Sequence, residues 1–134
     1  MDEIKANQLN ILSLAFVGDA VFTLYVRQML ASTHDSVAGK LHTLANKYVK
    51  ATSQAIILDE LLPTFSQREA DVARRARNHH NASKAKNAGL ADYRKATAFE
   101  AVLGYLKMSE KEERLNELLA RSVEIIQKKE NENE

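Results

Sequence analysis

Cysteine is absent from the chain. That excludes a disulfide scaffold and any zinc site built on thiolates. Proline occurs once and glycine four times, and strand-like alternation of β-branched residues is hard to find. There is no internal repeat and no low-complexity linker. No signal peptide or membrane span is expected, because the apolar run at 11–26 is interrupted by Asp19 and starts from a polar flank. The expected location is therefore cytoplasmic.

Ala, Leu, Lys, Glu and Arg dominate what remains, so an all-α protein is expected. With 134 residues, 45% of them hydrophobic, the chain suits one domain, 1–134, that can bury a core without staples. Net charge is only +1. Its distribution is uneven: Arg68 to Lys95 holds eight Lys or Arg against three acids, and Ser109 to Glu134 is acidic on balance.

A first long helix is expected from Ala6 or Asn7 to about Met29, with Gly18 inside it. A glycine there lets another backbone or a ligand come close. Residues 31–36 read as a loop in which Asp35 or Ser36 caps the next helix, which carries Leu41, Leu44, Ala45 and Tyr48. The apolar stretch Ala55 to Leu62 stops at Pro63. Ser66-Gln67-Arg68-Glu69 has the pattern of a capping box opening a short helix that ends in Arg74-Arg75-Ala76-Arg77. Polar, small and basic residues from Asn78 to Gly89 indicate an exposed loop. Ala91 to Lys107 reads as a second key helix. Ser109-Glu110-Lys111-Glu112 reads as another capping box, starting a last helix that frays from Lys128, with residues 129–134 as a tail.

Two acids stand out. Asp19 shares a helical stripe with Leu12, Ala15, Phe16, Phe22, Thr23 and Val26. A lone acid on such a stripe needs a basic partner such as Arg27, a hydrogen-bond network or a metal ion. Glu100 lies beside Thr97, Leu103 and Gly104, close to the apolar side of its helix. The basic island has two readings, a solvated surface or a phosphate-binding one. In the second, Arg74, Arg75, Arg77, Lys84, Lys86 and Arg94 neutralise phosphates, with Asn78, Asn81 and Asn87 beside them. Lys40 and His42 add to it from the exposed side of the preceding helix. Adjacent His79 and His80 do not share a helix face and read as loop polar residues.

Leu14-Ala15-Phe16-Val17-Gly18-Asp19-Ala20-Val21-Phe22 resembles the signature helix of the ribonuclease III catalytic domain. Phe99-Glu100-Ala101-Val102-Leu103-Gly104-Tyr105-Leu106 resembles its second metal-binding helix. Arg74-Arg75-Ala76-Arg77-Asn78 and Thr97-Ala98-Phe99-Glu100-Ala101 are similar to the Mini-ribonuclease III subgroup, short bacterial forms lacking a double-stranded-RNA-binding domain. The likeness runs from about Leu9 to Leu119. It departs at three positions: Ala15, Leu12 and Thr97 stand where full-length members usually carry acids.

The resemblance implies a ribonuclease III-like helical bundle with Asp19 and Glu100 as catalytic residues that bind Mg²⁺. One or two carboxylates suffice for Mg²⁺, which keeps several waters. It further implies a homodimer that cleaves double-stranded RNA in maturation of the 23S ribosomal RNA precursor; which helices meet is not read from the sequence, and the first helix is the expected one. A ribosomal protein on the substrate is a further possible partner. The alternative is a non-catalytic helical RNA-binding or adaptor protein in which Asp19 is structural.

Overall fold

Asn10 divides the N-terminal segment into two helices where one was expected. The computed structural model describes residues 1–79 and 89–132, and these are all-α, as the composition implied. Helix α1 is Glu3–Gln8 and α2 is Ile11–Thr33. The Asn10 side-chain oxygen accepts from the Leu12 N–H at 2.8 Å, which caps α2 and ends the register of α1. At its far end α2 runs a turn past Met29. The hydroxyls of Ser32 and Thr33 both donate to the Met29 carbonyl, and the His34 N–H bonds the Leu30 carbonyl.

Helix α3 is Ala38–Val49. Neither Asp35 nor Ser36 caps it; Val37 holds the N-cap position without a side-chain bond. One extended residue, Lys50, separates α3 from α4, Ala51–Leu61, which starts earlier than the apolar stretch suggested. Two buried polar side chains staple this corner. Ser53 Oγ donates to the Lys47 carbonyl at 2.5 Å and Gln54 Nε2 to the Val49 carbonyl at 2.9 Å. Pro63 sits in a short 3-10 turn, Leu62–Thr64, that closes α4.

Helix α5, Gln67–Asn78, opens with the anticipated capping box of Ser66 and Glu69. Glu69 is buried and also receives two hydrogen bonds from the Arg114 guanidinium, both at 3.0 Å. Helices α6, Gly89–Met108, and α7, Glu112–Glu132, complete the fold. The second expected capping box does not form. The Ser109 hydroxyl turns back to the Tyr105 carbonyl at 2.6 Å. Glu110 takes a left-handed φ of 60°, and the N–H groups of Glu110 and Lys111 bond the carbonyls of Lys107 and Leu106. This is a Schellman-type stop for α6 rather than a start for α7. Helix α7 continues beyond Lys128, where Glu130 pairs with Lys47 at 2.7 Å.

Helix α6 is the axis of the bundle. Residues Ala96 to Phe99 and Ala101 to Leu106 are all buried, as expected of a helix covered all round. It packs against α2, α4, α5 and α7. The α2–α6 crossing is antiparallel: Gly18 meets the backbone of Glu100, and Gly104 meets the backbone of Leu14. Phe22 and Phe99 lock the crossing edge to face, with centroids 5.0 Å apart. By length and composition α2 is apolar enough to cross a membrane. In the fold it is a core helix whose inner stripe is Ile11, Leu14, Ala15, Gly18, Phe22, Val26 and Leu30.

Candidate metal centre and nucleic-acid interface

Asp19 and Glu100 come together because the helices that carry them touch backbone to backbone. A β-carbon on Gly18 would lie 1.7 Å from the Glu100 carbonyl oxygen, so only glycine permits this approach. Asp19 follows Gly18 directly and therefore emerges at the edge of the crossing, beside the Glu100 side chain.

The burden of burial falls on the other acid from the one the sequence pattern suggests. Asp19 is exposed, and so is Phe16, at 80%. The inner stripe of α2 passes to one side of both. Glu100 is the partly buried member. Burial pushes its carboxyl up to about 8, and the Asp19 charge and a side-chain hydrogen bond with Asp19 push in the same direction. The weak bond from Gln54 opposes them. Arg27 does not pair with Asp19, and no Lys or Arg among the described residues forms an ion pair with either acid.

Two carboxylates forced together in a half-buried place make a strong acceptor for positive charge, whether a proton or a cation. Their oxygens suit a hard ion such as Mg²⁺. Among the described residues no third Asp, Glu, His or Cys completes a larger cluster. The three departures from the usual acids agree with this: Ala15 is buried, Leu12 is packed on the core, and the Thr97 hydroxyl donates to the Tyr93 carbonyl. Gln54 is the neighbour that the sequence reading passed over. It belongs to the buried stripe of Gln54, Ile57, Leu58 and Leu61, and a lone amide at that spacing was the available signal.

The basic residues divide by what they already hold. Arg75 is half-buried and donates to the Asn7 side chain at 2.7 Å, with Asp71 at 3.2 Å, so it ties α5 to α1. Arg74 is exposed and paired with Asp71 at 2.6 Å. Arg77 and Asn78 are exposed at the end of α5. Lys40 and His42 are exposed on α3, and Arg94 is partly exposed near the start of α6. Lys84, Lys86 and Asn87, with His80 and Asn81, lie outside the described residues.

Known proteins agree with this architecture. The family model of the ribonuclease III domain matches residues 12–111. The chain is 45% identical over 121 residues to the Mini-ribonuclease 3 of Brevibacillus brevis, covering 90% of each chain. It is 42% identical to that of Staphylococcus aureus, covering 88% of this chain and 90% of that one, and 39% identical to that of Streptococcus pneumoniae, covering 92% and 98%. A crystal structure of a Fusobacterium nucleatum protein superposes with a TM-score of 0.80 at 22% identity, over 92% of this chain and 98% of that one, and shares its fold. The chain thus belongs to the ribonuclease III family, in the short form that Mini-ribonuclease 3 represents, and is a ribonuclease, a hydrolase acting on RNA.

Proposed function

We propose that this endoribonuclease is Mg²⁺-dependent, cleaves double-stranded RNA as a homodimer in the cytoplasm, and matures the 23S ribosomal RNA precursor. The observation that carries the reading is the meeting of Asp19 and Glu100 across the Gly18 crossing. In it, both side chains would hold the cation through carboxylate oxygens. Mg²⁺ bound there supplies an activated water and charge stabilisation for phosphodiester hydrolysis. The residues of the chain do the rest. Glu100, whose carboxyl is raised to about 8, would hold a proton in place of the cation and release it on binding, because one positive charge would replace another. The Gly18 crossing keeps the two helices from drifting apart, so the carboxylates stay oriented.

Duplex RNA is recognised through its phosphates and its shape. Arg77 and Asn78, with Arg74, Lys40, His42 and Arg94, are the described residues assigned to that surface. Lys84, Lys86 and Asn87 are assigned to it from sequence. Arg75 is the member with the strongest competing duty. The dimer is supported by an unsatisfied face of α2: Phe16 is 80% exposed and Leu24, two turns on, is 58% exposed. Two copies facing each other there would supply one carboxylate pair for each strand of a duplex. A ribosomal protein bound to the precursor is a further partner compatible with this reading.

The deciding experiment incubates the purified protein with duplex precursor RNA, with and without Mg²⁺, beside Asp19→Asn. Cleavage that needs both Mg²⁺ and Asp19 is expected. A non-catalytic RNA-binding protein would retain the duplex and cut nothing under any of these conditions. Full activity of Asp19→Asn would refute the metal assignment.

A further inference from the structure

Gln54 stands in the first turn of α4 with its side chain inside the protein, 3% exposed. Its Nε2 donates to the Val49 carbonyl at 2.9 Å and reaches Glu100 Oε2 at 3.5 Å. Val49 ends α3, where carbonyls lack partners within the helix. A carbonyl only accepts, so this bond fixes which end of the amide is nitrogen. Oε1 is left buried, without a hydrogen-bond partner. Buried amide oxygens are nearly always satisfied, so an orphan calls for a reason. Its neighbours on the buried stripe, Ile57, Leu58 and Leu61, are apolar; an apolar residue at 54 would remove this orphan but also take away the partner of the Val49 carbonyl. Because Oε1 shares a carbon with Nε2, the orphan acceptor lies one amide group away from the Glu100 carboxylate.

We propose that Gln54 is a positioning residue of the cation site, in which its amide nitrogen steadies the Glu100 carboxylate and its unpartnered oxygen accepts a hydrogen bond from the water shell of a bound divalent cation. The inference rests on the assignment of Asp19 and Glu100 as cation ligands. A cation held by two carboxylates keeps most of its waters, and those waters need acceptors. Partners that orient metal ligands typically change affinity by about 10–100-fold when removed. Gln54 is too buried to meet RNA, so its loss acts on the cation and not on duplex binding. It also ties the α3–α4 corner to the α2–α6 crossing, so the site is braced from a third side.

The test uses Gln54→Met, which keeps the volume and removes both polar atoms. Binding of Mn²⁺ is read from the electron paramagnetic resonance of the free ion, and duplex cleavage is followed across Mg²⁺ concentrations. The dissociation constant for Mn²⁺ and the half-saturating Mg²⁺ should both rise about tenfold, with KM for RNA at saturating Mg²⁺ unchanged. A lower melting temperature with both cation constants unchanged would show a structural role only and overturn the proposal. If Gln54→Met fails to fold, the Gln54 side-chain amide resonances of the wild-type protein decide. They should shift on adding Mg²⁺ in the wild type and stay still in Asp19→Asn; no movement in the wild type overturns the proposal. Mn²⁺ binding that Asp19→Asn leaves unaltered overturns the ligand assignment itself, and the role of Gln54 with it.

Discussion

The Glu100 carbonyl oxygen occupies the space that a β-carbon on Gly18 would need, at 1.7 Å, and Gly104 stands in the same relation to Leu14 at 1.8 Å. Two glycines thus let α2 and α6 cross in backbone contact, and the Asp19–Glu100 pair stands at one end of that contact. Gly18→Ala forces the helices apart, because the obstacle is backbone and not a movable side chain. The variant should lose about 1–3 kcal/mol or more of stability, the usual cost of overpacking, and its cleavage rate should fall further than its folded fraction. Gly39→Ala on α3 meets open space and should be neutral or stabilising by up to about 1 kcal/mol. Urea unfolding of both variants, with duplex cleavage measured alongside, checks the contrast. Equal behaviour of the two would refute it.

Glu100 gives the cation-free protein a distinctive pH dependence. Its carboxyl titrates near 8 in the fold against an ordinary value of 4.5, raised by burial first and by Asp19 second. Below 4.5 it is protonated in both folded and unfolded chains. Between 4.5 and 8 the unfolded chain ionises and the folded one does not, so stability drains away as pH rises, by up to about 1.4 kcal/mol per unit. Above 8 the loss is complete. Glu69 acts in the opposite sense. Burial opposes its ionisation, but the hydrogen bonds from Arg114 and Ser66 hold its carboxyl below the usual value, so its contribution is lost as pH falls. The difference between wild type and Glu100→Gln isolates the first effect. The variant should gain stability relative to wild type steadily from pH 5 to 8 in chelator. In Mg²⁺ the wild type should show half-saturation at lower concentration as pH rises, since cation and proton compete for one place. Parallel stability curves for the two proteins would contradict this account.

Much of this arrangement was legible in the residues themselves. The pair Gly18-Asp19, the motif around Glu100 and the helical composition pointed to the fold and to both acids. What failed was local detail decided by distant partners. A helical wheel placed Asp19 on the buried stripe and Glu100 near it, yet α2 turns Gly18 and not Asp19 toward α6, so Asp19 is exposed and Glu100 half-buried. Ser109 had the right spacing to cap α7, but its hydroxyl found the Tyr105 carbonyl first. Asn10 looked like part of a helix until its side chain proved to cap the next one. Nothing nearby in sequence announced that Arg75 also bonds Asn7, 68 positions away.

That last pairing separates two arginines that are two residues apart. Arg75 is tied to Asn7 and Asp71, whereas Arg77 is exposed and forms no ion pair or hydrogen bond among the described residues. Arg75→Ala should lower thermal stability, because it releases α1 from α5 and leaves a part-buried site unfilled. A loss of about 1–2 kcal/mol is the scale for a half-buried charged hydrogen bond. Arg77→Ala should leave the melting temperature within a degree or so, while weakening duplex binding and reducing the salt dependence by about one phosphate contact. Binding isotherms at several salt concentrations test this. If the salt slope of Arg77→Ala matched that of the wild type, α5 would not be part of the RNA surface.

The face of α2 opposite its core stripe sets the last expectation. Phe16 and Leu24 lie eight residues apart with Ala20 between them, all exposed, so they line one side of the helix. Burying a phenylalanine that is now 80% exposed is worth about 1.5–3 kcal/mol per copy, and a two-fold interface counts it twice. Phe16→Asp places two like charges at the centre of that interface and removes both rings. The variant should run as a monomer of about 15 kDa by light scattering, where the wild type gives twice that mass. It should keep its helical circular dichroism, because Phe16 contributes nothing to the core of its own chain. Cleavage of both strands at one site should be lost with the dimer. A wild type that is already monomeric would refute the dimer, and a Phe16→Asp variant that stays dimeric would move the interface away from α2.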